Sequence, residues 1–381
     1  MSRLTLPPLS LYIHIPWCVR KCPYCDFNSH QSKSALPIDD YVKALAQDLE
    51  NDQGLAHGRK LDSIFFGGGT PSLFPASAIK QIIDSAKSLI GFERDIEITL
   101  EANPGTVEHH DFSELRATGV NRLSLGIQSF SPQHLKSLGR IHSDKEATDA
   151  VARAQAGGFD NINIDLMHGL PDQTLEQARQ DLEHAFALAP QHISWYQLTI
   201  EQNTEFFSRP PTLPQEDTLI DIMEMGLEAL THSGYEQYEV SAFGRPDRQS
   251  RHNLNYWQFG DYLAIGAGAH GKITSPTDPL PFRYRKTRQP NAYLDTNRDF
   301  TAHQAPIALD NIPLEFMMNA LRLNEGVPVS LFEQRAGLSV STITPQLLAL
   351  QREGLLEVNN DTIIPTANGR LFLNTLLERF A

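Results

Sequence analysis

Cysteine is the scarcest chemistry in this chain. The 381 residues contain only three, Cys18, Cys22 and Cys25, all within the run CVRKCPYC. An odd and sparse set in so long a chain excludes a disulfide framework. Long apolar runs are missing too: none reaches the roughly 18 residues that a membrane-spanning helix needs. The N-terminal stretch MSRLTLPPLSLYIHIP has neither a long apolar core nor a small-residue cleavage site, so no export signal is expected. Basic residues are outnumbered, with 32 Lys and Arg against 46 Asp and Glu, a net charge of −14. That balance opposes a generic nucleic-acid partner. Unpaired thiols without an export signal point to the cytoplasm.

What cysteine there is has been concentrated. The spacing is C-x3-C-x2-C, and three thiolates on one short loop suit a cubane [4Fe–4S] cluster with one iron left open. Four-cysteine ligation is the usual arrangement, and no fourth cysteine exists here. The fourth iron must therefore take water, substrate or a cofactor. Structural zinc is the alternative, with His14 or His30 as a further ligand. Buried inert thiols are the third reading, which Pro16 and Pro23 beside the loop oppose.

Apolar β-rich runs alternate with helical patterns through the first 235 residues. Strands are expected at Leu11–Ile15, Ser63–Phe66, Glu97–Leu100, Arg122–Gly126, Asn161–Leu166 and Ile193–Leu198. Helices are expected near 39–52, 76–90, 111–118, 144–156, 174–188 and 217–232, with Asp39 and Thr174 as N-caps. Six β-then-α repeats predict parallel strands with right-handed crossovers. Six fall short of the eight of a closed barrel. The α/β fold expected is a partial (β/α)6 barrel, with a doubly wound open sheet as the alternative. Residues 236–305 change character, rich in Pro, Gly, Arg and aromatics. Residues 306–381 read as helices around a short β pair, a small domain resembling a winged helix. With five Arg, no Lys and eight acidic residues, that domain is not expected to bind DNA.

Chemistry in parallel α/β folds gathers at the carboxyl ends of strands. Polar and glycine residues recur there. They are the cysteine loop, Gly67-Gly68-Gly69-Thr70-Pro71, Glu101-Ala102-Asn103-Pro104, Gln128-Ser129-Phe130, Asp165 with His168-Gly169-Leu170-Pro171, and Thr199 with Glu201. Glycines in GGGTP either permit a sharp turn or let the backbone approach a small ligand.

The C-x3-C-x2-C loop with Tyr24, followed by GGGTP, resembles the radical S-adenosylmethionine superfamily. YIHIPWC, EANPG, GVNRLSLGIQSF, LGRIH and NIDLMHGLPDQT resemble the branch that contains oxygen-independent coproporphyrinogen III dehydrogenase and the HemW haem chaperones. The likeness covers most of residues 10–270, and the tail resembles the branch's small C-terminal domain. It implies a radical-SAM partial barrel over 1–235, an extension over 236–305 and the small domain over 306–381. It implies that Cys18, Cys22 and Cys25 hold a [4Fe–4S] cluster whose open iron takes S-adenosylmethionine. Tyr12, Tyr24, Gly69, Thr70, Pro71 and Glu101 match cofactor contacts, with Glu101 at the ribose diol. Gln128, Arg140 and Asp165 match polar positions of a second cofactor-sized site.

The stretch His252-Asn253-Leu254-Asn255-Tyr256-Trp257 is H-N-x-x-Y-W, the pattern associated with haem binding in the HemW family. The resemblance thus makes His252, Asn253, Tyr256 and Trp257 expected haem contacts. Read without it, a lone histidine among aromatics is more often a core residue. Gly266-Ala267-Gly268-Ala269-His270-Gly271 fits G-x-G-x-x-G, but KITSPTDP follows it instead of a helix. It is expected to be a tight turn, not a dinucleotide fingerprint. Two departures separate the chain from the dehydrogenase. Phe27 stands where that enzyme has a further cysteine, and only ten residues precede the first expected strand. Both favour a haem chaperone that hands haem to acceptor haem proteins, membrane respiratory enzymes among them, over radical decarboxylation of coproporphyrinogen III. Peripheral attachment to a membrane would accompany such acceptors.

Overall fold

The computed structural model describes residues 4–32, 35–106, 111–359 and 361–381. Six strands form its centre: β1 (Leu9–Ile15), β2 (Leu61–Gly68), β3 (Phe92–Ala102), β4 (Arg122–Gln128), β5 (Ile162–His168) and β6 (His192–Gln197). They pair in that order, all parallel. The connecting helices are α1 (Ile38–Asp52), α2 (Ala76–Leu89), α3 (Phe112–Ala117), α4 (Asp144–Ala156), α5 (Leu175–Ala187) and α6 (Glu216–His232). In β1, six of the seven residues are buried, because the strand is covered on both faces and paired on both edges. In α2, Ala78, Ile79, Ile82, Ile83 and Ala86 are buried, the three-and-four spacing of a helix laid on a sheet. Thr174 caps α5 through a capping box with Gln177. Asp39 is not a cap. It sits inside the first turn of α1, whose N-cap is Pro37, and there its carboxylate faces the positive end of the helix dipole.

The sheet is wider than the six expected strands. Residues 236–305 supply strands to both edges: β7 (Glu236–Glu239) and β8 (Ala242–Gly244) beyond β6, and β9 (Asp261–Ile265), β10 (His270–Ile273) and β11 (Phe282–Lys286) beyond β1. A last strand, β12 (Thr301–Pro306), pairs with β11. Strand β9 runs parallel to β1, and β10 to β12 then turn back and forth antiparallel. The result is an open, partly closed barrel of twelve strands in one sheet. Between β7/β8 and β9 lies α7 (Arg251–Trp257).

The small C-terminal unit contains helices Ile312–Ala320, Val329–Ala336 and Thr344–Arg352 and a three-stranded sheet. Its core gathers Phe316, Phe332, Leu347, Leu350 and Ile363. Phe259, just beyond α7, enters that core, with its ring 5.5 Å from Phe316. Two ion pairs bind the unit to the barrel: Arg322 with Glu239 at 2.9 Å and Arg283 with Glu315 at 2.7 Å.

Candidate functional site

Strand β1 delivers the chain directly into the cysteine loop. Short strands Trp17–Cys18 and His30–Gln31 pair with each other and close the loop at its base. The loop's interior is braced by Cys25 N–H donating to Cys22 O at 3.2 Å and by Ser29 Oγ at 3.8 Å from Cys25 Sγ. Its far side is clamped by Asn28, whose amide donates to Ala267 O and Arg288 O, each at 2.9 Å. The G-x-G-x-x-G run is the other half of that clamp. It forms the turn between β9 and β10, and a Cβ on Gly268, at φ +86°, would lie 2.2 Å from the Asn28 amide nitrogen.

All three cysteines line a cavity of about 410 Å³ at the carboxyl ends of the strands. Tyr24, Gly69, Thr70, Pro71, Glu101, Gln128, Arg140, Asp165 and Asn253 line the same cavity. Burial pushes the thiols of Cys18 and Cys25 up, partly offset by hydrogen bonds from Thr70 and Ser29 respectively. Bare thiolates are therefore disfavoured there, and positive charge must enter with them. Arg140 supplies some, with Nη1 3.5 Å from Cys22 Sγ while Nη2 donates to Gly126 O. Its Nε is buried without a hydrogen-bond partner among the described residues. Among the described residues no three His, Cys, Asp or Glu side chains converge as a single metal ion requires. A soft three-thiol donor set opening onto a roomy cavity fits a multi-iron cluster, whose thiolates end on separate irons.

The glycines beside the loop are dictated by backbone proximity. A Cβ on Gly69 would lie 2.5 Å from Trp17 O, the carbonyl just before Cys18. Gly68 has φ +112°, and its Cβ would strike the His14 ring at 2.5 Å. The His14 ring lies between the Tyr12 phenol at 3.0 Å and Asn28 O at 2.9 Å. Burial lowers its pKa to about 4, so it is neutral at pH 7. Tyr12 faces a neighbouring cavity that shares Gly68 and Glu101 with the first. Glu101 is pushed up to about 8 by burial and by Asp165, against the opposing Gly68 amide.

A polar wall completes the cavity. The Tyr196 phenol donates to Gln128 Oε1 at 2.7 Å, and Gln128 sits at φ +71° where β4 bulges. Such a conformation is unusual for a residue with a side chain. Asp165 accepts from Ser124 at 2.9 Å and from Asn163 at 2.8 Å. Burial raises its carboxyl, partly offset by these bonds. Ser124, Ser194 and Tyr196 escaped the sequence reading although they line the cavity. Their signal was period-two spacing: 124, 126 and 128 on β4 and 194 and 196 on β6 share the inner face.

The H-N-x-x-Y-W residues do not form one surface. They lie on α7, and its side chains diverge. His252 is 1% exposed. Its Nδ1 is 3.0 Å from Ser63 Oγ, its Nε2 3.1 Å from the Tyr256 phenol, and burial lowers its pKa to about 3. Asn253 faces the cysteine cavity and Tyr256 the neighbouring one. Trp257 packs on the C-terminal core, with Arg322 4.4 Å above its ring. A helix turns about 100° per residue, so neighbouring positions cannot share a face.

Comparison with known proteins agrees with this geometry. Residues 12–185 match the Radical SAM superfamily and residues 307–372 the HemN C-terminal domain. Haem chaperone HemW of Haemophilus influenzae is 53% identical over 98% of both chains, and that of Escherichia coli 51% identical over 98% of both. Haem chaperone HemW of Bacillus subtilis is 33% identical over 97% of this chain and 98% of its own. The fold superposes on coproporphyrinogen III oxidase (HemN) of Escherichia coli, a radical SAM enzyme, with a TM-score of 0.82 and 25% identity over 99% of this chain and 91% of that one. The chain therefore belongs to the HemW family, within the radical SAM superfamily.

Proposed function

We propose that the protein is a haem chaperone: it binds haem, a [4Fe–4S] cluster and S-adenosylmethionine, and passes haem to acceptor haem proteins. The observation that carries this reading is 53% identity along 98% of both chains to a protein named as a haem chaperone. Cys18, Cys22 and Cys25 would hold the cluster. When bound, the cluster and S-adenosylmethionine together supply one-electron chemistry and a charge-sensitive link between metal site and cavity. The chain's own residues do the rest. Gly69 lets the backbone of the GGGTP turn lie against the loop, so that Thr70 and Pro71 reach the cofactor's amino-acid part. Glu101 offers two acceptor oxygens to a ribose diol. Tyr12 and Tyr24 bound that ligand on the two sides of the loop. Gln128, Arg140 and Asp165 would line a second cofactor-sized site beside it, with Gln128 held by Tyr196 and Asp165 by Ser124 and Asn163.

Phe27 supports carriage over decarboxylation. It is 60% exposed and lines both cavities, where the dehydrogenase would place another cysteine. Domain limits near 235 and 306, a cytoplasmic location and transient docking on membrane-bound acceptors belong to the same reading. No described helix is long and apolar enough to cross a membrane. The test is direct. Anaerobically reconstituted protein is given coproporphyrinogen III, S-adenosylmethionine and a reductant, and separately haem and a haem-free acceptor. Haem transfer without protoporphyrinogen formation is expected. Catalytic protoporphyrinogen formation would establish the decarboxylase instead.

A further inference from the structure

Beside the cluster cavity lies a second one of about 970 Å³, sharing Gly68, Glu101 and Phe27 with it. On the haem-chaperone reading above, we propose that this cavity is the haem seat, with His270 as the iron ligand and Arg285 and Arg288 holding the propionates.

The volume is at the upper end of the ~300–1,000 Å³ typical of sites that enclose a cofactor-sized ligand. Four phenyl and phenol rings line it: Tyr12, Phe27, Tyr256 and Tyr262. The rings of Tyr256 and Tyr262 stand edge to face at 4.3 Å, and both phenols are anchored, Tyr256 by His252 and Tyr262 by Arg283 at 2.8 Å. Rigid rings of this kind suit a flat porphyrin face. Acidic groups also reach the cavity: Asp26 from the cysteine loop and Glu101 from β3. The cations come from the opposite element. His270 and Arg285 are cross-strand partners on β10 and β11, both exposed, and Arg288 follows beyond β11. Arg285 makes no ion pair among the described residues, and Arg288 bonds only the neutral Asn28 amide oxygen through Nε. Both guanidinium groups are thus available to carboxylates, which they bind with two parallel bonds.

The ligand assignment follows from which histidine has nitrogens to give. Imidazole is the common protein ligand of haem iron. Both ring nitrogens of His252 are engaged and the ring is buried. Neither ring nitrogen of His270 makes a hydrogen bond among the described residues, and the ring faces the cavity. His252 then acts as a positioning residue: it aims the Tyr256 phenol and leaves iron to His270.

The full chain is titrated anaerobically with ferric haem and, separately, with metal-free protoporphyrin IX. The wild type should develop a Soret band. His270→Ala and His270→Gln should each weaken haem binding by about tenfold or more, move the Soret band of the remaining complex, and leave protoporphyrin affinity unchanged. Removing Arg285 and Arg288 together, as Arg285→Ala with Arg288→Ala, should weaken both pigments. His252→Ala should keep the Soret position while weakening both pigments alike. If the His270 variants keep both affinity and spectrum, or if His252→Ala alone loses the ligated spectrum, the assignment is overturned while the chaperone reading stands. A wild-type protein that binds no haem overturns the chaperone reading and the seat with it.

Discussion

Arg140 places Nη1 3.5 Å from the sulfur of Cys22. The guanidinium is buried, and although burial opposes its charge, Tyr24 and Cys22 more than restore it. It also bonds Gly126 O on β4, so it links the cysteine loop to the polar wall. Hydrogen bonds to cluster sulfurs raise reduction potentials, because they stabilise the more electron-rich state. Arg140→Leu should therefore lower the potential of the reconstituted cluster and reduce iron retention. Arg140→Lys, which keeps the charge but not the fork, should fall between. Potentiometric titration followed by electron paramagnetic resonance decides this. An unchanged potential in Arg140→Leu would mean that the contact is broken once the cluster is in place.

Glu101 carries a pH prediction. Its carboxyl is raised from 4.5 to about 8, so most of it is protonated at pH 7 in the ligand-free protein. A ribose diol donates best to the ionised form. S-adenosylmethionine affinity should rise with pH up to about 8, by at most about tenfold per unit. Binding should also release a proton near neutrality. Glu101→Gln should flatten both effects. The sign for stability is opposite: a carboxyl raised on folding favours the fold below its unfolded pKa and loses that contribution as pH climbs towards 8. Ligand-free Glu101→Gln should thus melt above wild type at pH 8 but not at pH 5. Calorimetry in two buffers of different ionisation heat, with melting curves at both pH values, checks the pair.

The legibility of this molecule in its sequence was uneven, for physical reasons. The six central strands and Thr174 were readable because parallel strands are near-continuous apolar runs and capping boxes are local. Asp39 misled because acidic residues favour both the cap and the first turn, and only geometry separates them. Among the edge strands β11 alternates aromatics with Arg, and the pairing of β9 with β1 depends on contacts more than 200 residues apart (Leu9 beside Asp261, for example). Among site residues, the cysteines and GGGTP announce themselves by spacing. The H-N-x-x-Y-W motif does not reveal that its members face different neighbours, since that depends on what surrounds α7. Asn28 gave no signal at all: its role exists only once Gly268 is brought against it.

Gly69 should resist even the smallest enlargement. An added Cβ meets the backbone oxygen of Trp17 at 2.5 Å, and the Gly69 backbone that would carry it is fixed by the Gly69 N–H bond to Ile15 O at 2.7 Å. Relief must come from moving Trp17–Cys18. Gly69→Ala should cost about 1–3 kcal/mol of stability and should lower both iron content after reconstitution and S-adenosylmethionine affinity. Gly54→Ala, where nothing lies within 4 Å, is the control. If Gly69→Ala takes up iron and binds S-adenosylmethionine like wild type, the turn is not a ligand cradle.

Lys286 is the electrostatic pin between the edge strands and α1. Its ammonium lies 2.6 Å from Asp48, 2.7 Å from Asp52 and 3.1 Å from Thr301 Oγ1. Asp48 also accepts from the Tyr293 phenol at 2.6 Å. Burial still pushes Asp48 from 3.8 up to about 6, although Lys286 pulls it down. Lys286→Met keeps the stem's packing but strands two carboxylates, at an expected cost of about 3–5 kcal/mol near neutral pH. Without the ammonium, the folded-state pKa of Asp48 must rise further. The variant's deficit should therefore be small near pH 5, where the carboxyl can hold a proton in the fold, and should widen as pH rises through and above 6. Urea denaturation of both proteins at pH 5 and pH 8 measures the two deficits. Equal deficits at the two pH values would show that the loss does not come from a stranded carboxylate, because only an uncompensated carboxylate makes it depend on protons.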